Sequence, residues 1–132
     1  MYETKTDTTA LAWSPTGWPG VSMKMLQQVE STGGMVGMMR MEAGSSIPAH
    51  SHTHADQAVF VIEGDLVEEG VTYGPGSFLV AKAGTPHGPH GSSGGCVLLS
   101  TYFGKPDFVP VEENNRDRSN YYGLDSPPRT TN

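Results

Sequence analysis

Seventeen glycines and ten prolines run through a chain of 132 residues. They interrupt it so often that no apolar pattern of helical period lasts beyond about two turns. Glycine frees φ and proline removes a backbone donor, so a chain cut this way folds as short strands joined by tight turns. The expected class is all-β, a sandwich or barrel. Expected strands are Val21 to Val29, Met35 to Met41, Ala49 to Thr53, Ala58 to Ile62, Asp65 to Glu68, Ser77 to Ala81 and Cys96 to Phe103. Thr32-Gly33-Gly34, Glu63-Gly64-Asp65 and Gly74-Pro75-Gly76 supply turn chemistry between them.

The two ends differ from this middle. Residues 1–20 are rich in threonine and then carry Trp13, Pro15, Trp18 and Pro19, which reads as an arm packed on the barrel or on a second subunit. Residues 21–111 are read as the barrel. Residues 112–132 are polar and form a tail, with Tyr121, Tyr122 and Leu124 as its anchors. Single-domain size is expected, since domains cluster around roughly 100–150 residues. Cys96 stands alone, so neither an intrachain disulfide nor a Cys-x-x-Cys redox pair can form, and a cytoplasmic setting is expected. No run approaches the ~20 apolar residues of a membrane span, and Met1 to Ala10 lacks the charge pattern of an export signal. A net charge of −6 with no basic stripe argues against nucleic acid. The expected partner is a small molecule or another protein.

All five histidines fall between His50 and His90. On a strand, residues i and i+2 share a face, so His50 and His52 project together, near enough to share an ion. His87 follows a later strand and the turn Gly84-Thr85-Pro86. Three imidazoles suit zinc, copper, iron or nickel better than calcium or magnesium.

These residues resemble the cupin superfamily. Its first motif is Gly-x5-His-x-His-x3–4-Glu-x6-Gly, and here Gly44, His50, His52 and Gly64 stand at the required spacings, with Gln57 in the glutamate's place. Its second motif is Gly-x5-Pro-x-Gly-x2-His-x3-Asn, met by Gly76, Gly84 and His87, with Lys82 and Gly91 at the proline and asparagine positions. The resemblance implies a double-stranded β-helix, or jelly-roll barrel. It also implies one divalent transition metal held by His50, His52 and His87, with Gln57 as ligand or neighbour. Iron(II) is the expected ion, with zinc, nickel, manganese and copper as alternatives. Counting back from Gly64 assigns His54 to the barrel rim, although strand alternation alone leaves a His52–His54 pair open. His90, three residues past His87, is read as a neighbour of the site or as exposed. Asp56 points to the opposite face of a regular strand.

Gln57 matters most for the chemistry. Three neutral histidines and an amide leave the ion's charge uncompensated, and such a site favours an anionic ligand. Met23, Met25, Met35, Met38, Met39 and Met41 read as a methionine wall that fills the core or lines a pocket over the ion. Phe60, Phe78, Leu98, Tyr102 and Phe103 compete for the same roles. Arg40 and Lys82 are candidate holders of an anion, and Cys96 reads as a small buried apolar residue.

The runs around Gly74-Pro75-Gly76 and Gly84-Thr85-Pro86-His87, with Pro19-Gly20-Val21 upstream, resemble single-domain bacterial cupins. Those include enzymes that cleave β-diketones or dihydroxyacetophenones, and the cupin domain of certain anti-sigma factors. The implied activity is a metal-dependent dioxygenase that cleaves a carbon–carbon bond in a small enolisable carbonyl compound. A lyase or isomerase working without oxygen, and a non-catalytic metal or ligand sensor, are the alternatives. Analogy with cupins also implies a homodimer.

Overall fold

Residues 1–111 are described by the computed structural model; the tail assigned to residues 112–132 lies outside them. Among the described residues a short 3-10 turn, Thr8–Ala10, precedes twelve strands: β1 Ser14–Pro15, β2 Val21–Val29, β3 Gly34–Met41, β4 Ser46–Ile47, β5 His50–Ser51, β6 Gln57–Gly64, β7 Leu66–Glu68, β8 Val71–Tyr73, β9 Phe78–Ala81, β10 His90–Gly91, β11 Cys96–Tyr102 and β12 Val109–Pro110. No helix among the described residues is long and apolar enough to cross a membrane.

Every strand pair among the described residues is antiparallel. One sheet runs β1-β2-β3-β11-β6-β9 and faces a smaller sheet, β4-β10-β7-β8, while β5 pairs with β12. This is a jelly-roll barrel. Its core lies between the two sheets, where Val21, Met41, Val61, Cys96 and Leu98 of the larger meet Ile47 and Leu66 of the smaller. Alternation along β11 sends Cys96, Leu98, Ser100 and Tyr102 inward. Burial also raises the Cys96 thiol's pKa, leaving it a small core residue of low reactivity.

Gly64 closes the turn between β6 and β7 at φ 82°, a left-handed conformation that glycine adopts without strain. A Cβ there would stand 2.0 Å from the carbonyl oxygen of Gly95. Close approach of the neighbouring chain therefore requires a glycine at this position.

Both tryptophans of the arm pack on their own barrel. Trp18 is buried, its ring 5.1 Å from that of Phe108. Trp13 lies on the outer face, where Lys24 and Arg40 approach its ring to 4.5 and 4.7 Å. Lys24 is held further by donating from Nζ to the carbonyl of Thr8.

Strand parity corrects several side-chain expectations. The methionines form no single wall: Met39 and Met41 line an inner cavity, whereas Met25 is 42% exposed. Phe60 and Phe78 face outward from β6 and β9 and are 41% and 65% exposed, so neither belongs to core or pocket. Arg40 stacks on Trp13 and Lys82 is exposed, and neither lines the cavities beside the histidines.

Candidate metal centre

Backbone pairing joins the two motifs. The amide of His50 donates to the carbonyl of His87 at 2.9 Å, and the amide of His87 donates back at 2.8 Å. Their rings consequently lie 4.4 Å apart. His52, just beyond β5, has its ring 4.9 Å from that of His50 and 5.2 Å from that of His87. Gln57 opens β6 and is buried beside His52. One ring nitrogen from each of His50, His87 and His90 lies within 4.8 Å of the other two. His52 falls outside that tighter group, and His90, expected beside the site or exposed, falls inside it. His54 is exposed. Asp56 accepts from the Ala83 amide and so points away from the cluster.

Two rings are oriented by main-chain carbonyls. The Nδ1 of His50 donates to Pro48 and that of His52 to Asp107. A carbonyl only accepts, so each Nδ1 carries the proton and each Nε2 presents a lone pair. Burial, and then the neighbouring His90, push His50 down to about 2 and His87 down to about 3, which keeps both rings neutral near pH 7. Phe108 stacks on His50 at 4.1 Å and seals one side.

A cation fits this arrangement on two observations. The Nε2 of His87 is buried and has no hydrogen-bond partner among the described residues. Gln57 donates from Nε2 to Ser100 at 2.9 Å, which turns its carbonyl oxygen toward the His52 Nε2 at 3.1 Å. With the His52 proton on Nδ1, two lone pairs face one another there. Two ligand atoms ~2.1 Å from one ion stand roughly 3–3.5 Å apart. A shared ion would turn that repulsive contact into ligation. His50, His52, His87 and Gln57 could hold such an ion, and His90 lies within reach of His50 and His87.

Two cavities flank the cluster. One of about 40 Å³ is walled by Trp18, Met39, Met41, Ile47 and Leu98, and one of about 80 Å³ by Leu79, Ala81 and His87. Gln57, Val59, Leu66, Glu68 and His90 line both. The smaller has room for on the order of three waters, a scale that suits a small ligand.

The family model of the ChrR cupin-like domain matches residues 2–105. The chain belongs to that family. Among solved structures, this cupin is similar to a proposed acetylacetone dioxygenase from Methylibium petroleiphilum, with TM-score 0.73 at 17% identity over 87% of this chain and 85% of that one. It is also similar to an acetylacetone dioxygenase from Acinetobacter johnsonii, with TM-score 0.70 at 17% identity over 94% and 86%. A third likeness is to the Rhodobacter sphaeroides complex of SigE with the anti-sigma ChrR, with TM-score 0.59 at 20% identity over 72% of this cupin and 50% of that chain. No curated protein matches. At these identities the structural likeness establishes the cupin fold.

Several supporting residues escape a reading of the motifs. Ser100 positions Gln57, Phe108 packs on His50, and Glu68 bonds to His90. Ser100 carries a legible signal, because alternation along β11 puts this polar residue on the buried face between Leu98 and Tyr102. Glu68 and Phe108 carry none.

Proposed function

We propose that this cupin is an iron(II)-dependent dioxygenase that cleaves a carbon–carbon bond in a small enolisable carbonyl compound such as a 1,3-diketone. The observation that carries the reading is a set of neutral donors, His50, His52, His87 and Gln57, set against an apolar cavity. When bound, a divalent transition metal supplies a Lewis acid for an enolate oxygen and a template for dioxygen. The chain supplies the rest. Carbonyls of Pro48 and Asp107 hold the His50 and His52 rings with their lone pairs inward. Ser100 fixes the Gln57 amide. Met39, Met41, Ile47 and Leu98 exclude water and accept the alkyl ends of the substrate. With no carboxylate in this donor set, binding favours an anion, and a 1,3-diketone becomes one by losing its central proton.

Oxygen uptake tests this proposal. Protein purified without chelator and loaded with iron(II) should consume dioxygen in step with substrate across a panel of small 1,3-diketones. Absence of uptake with stoichiometric iron present sinks the reading. Substrate loss without oxygen uptake transfers it to a lyase. The cytoplasmic setting expected from the single, buried Cys96 belongs to the same proposal.

We also infer a homodimer formed through the outer face of the larger sheet. Phe78, Phe60, Leu99 and Met38 form one continuous row across β9, β6, β11 and β3. Glu63 and Arg40 flank Val97 on the next row. A two-fold axis along β11 sets Arg40 of one copy over Glu63 of the partner subunit and Leu99 against its own counterpart, a self-complementary arrangement. Light scattering at tens of micromolar should give a dimer for the native chain and a monomer for Phe60→Asp. A monomeric native chain overturns it.

A further inference from the structure

We propose that His90 is a fourth imidazole donor of the metal centre, and that Glu68 behind it supplies the negative charge that Gln57 does not. This rests on the reading of the histidine cluster as a metal centre, but not on the dioxygenase activity.

The pair is built by the sheet. His90 and Glu68 are direct partners in the β10–β7 ladder, so their side chains stand on one face at short range. The Nδ1 of His90 bonds to the Glu68 carboxylate. A carboxylate accepts, so Nδ1 carries a proton, and the neutral ring, the form that binds a metal, presents its lone pair on Nε2. His50 and His52 are oriented in the same manner, with a neutral carbonyl where His90 has an anion. The His90 ring lies 4.8 Å from that of His87 and 5.1 Å from that of His50. A carboxylate behind a ligating histidine fixes the tautomer and strengthens the ring as a donor.

Charge and burial support the same assignment. The side chains of His90 and Glu68 are only 12% and 13% exposed, and desolvating an acid this way is costly unless positive charge stands near. An ion among His50, His87 and His90 provides it. His50, His52, His87 and Gln57 leave a divalent ion at +2. Glu68 lowers the centre to +1, the charge that one enolate neutralises. Since Glu68 and Gln57 line the same two cavities, the displaced carboxylate still acts on what binds there.

Zinc(II) titration by calorimetry, with X-ray absorption on the zinc-loaded protein, tests the proposal without reference to activity. The native protein should show four imidazoles and His90→Ala three, with weaker binding. Glu68→Gln should keep four imidazoles and bind about 10- to 100-fold more weakly, the usual loss when such a supporting group is removed. His54→Ala, altering an exposed ring, should leave both readouts unchanged. An unchanged imidazole count and affinity in His90→Ala overturns the proposal while the three-histidine centre stands. If His90→Ala fails to fold, undiminished affinity in Glu68→Gln overturns it alone. A native protein that binds no zinc overturns the metal centre as well.

Discussion

Replacing His87 with leucine is expected to abolish stoichiometric metal binding while raising the melting temperature of the metal-free protein. The two effects share one cause. Among the described residues the Nε2 of His87 is buried without a partner, and an unsatisfied buried polar group costs ~1–3 kcal/mol. Leucine fills comparable space beside Leu79 and Ala81 and carries no polar atom to satisfy. A gain of about 2 kcal/mol corresponds to roughly 5–10 °C in a domain of this size. Metal restores the order, since a ligand at 1,000 times its dissociation constant stabilises by about 4 kcal/mol. Scanning calorimetry should therefore rank metal-loaded native protein first, His87→Leu second and metal-free native protein last. Elemental analysis should find no metal in the variant. A His87→Leu protein that retains one ion per chain removes His87 from the ligand set.

The fold was legible because glycine and proline act locally. Each of the seven expected strands is present in whole or part, and β2 spans the anticipated residues, Val21–Val29. The missed strands, β1, β4, β8, β10 and β12, have only two or three residues, too few to display alternation. Such strands are made by their partners: β10 exists because it lies between β4 and β7. Facing was less legible than position. Val61 is fully buried while its larger neighbour Phe60 is 41% exposed, because which face turns inward depends on the opposite sheet rather than on side-chain size.

The site divides in the same way. Spacing brought His50 and His52 together, and the second motif brought His87, which the backbone pairs with His50. Nothing local marks His90 as facing the cluster, since its orientation follows from pairing with β7 and from a bond to Glu68, 22 residues away. Orientation of His52 likewise depends on Asp107, 55 residues distant. Interactions of that range are set by topology, and a motif read along the chain does not contain them. The Gln57 substitution was visible, but its partner Ser100 becomes evident only when β11 lies beside β6.

Acid should destabilise the metal-free protein steeply, beginning near the ordinary histidine pKa of ~6.5. In the native state burial, followed by repulsion from His90, pushes His50 to about 2 and His87 to about 3. In the unfolded chain both return to roughly 6.5. Between those limits the unfolded state binds two protons that the native state refuses, so stability is full above about pH 6.5 and falls as pH drops. Each group contributes about 1.4 kcal/mol per pH unit, so the fall between about pH 6.5 and 4.5 approaches 5 kcal/mol. That is a large part of the ~5–15 kcal/mol available to a domain. The carboxylates held low by hydrogen bonds, Asp65 by the amides of Ser93 and Gly94 among them, lose their contribution only near and below the ordinary value of ~4, outside this window. Urea unfolding with chelator present, repeated across that range, measures the slope. His87→Leu should reduce it to about half, because one of the two proton-refusing sites is gone. A slope unaffected by His87→Leu, or a flat profile in the native chain, is incompatible with two imidazoles buried neutral in the cluster. The halved slope would tie the acid sensitivity to the rings proposed to hold the metal.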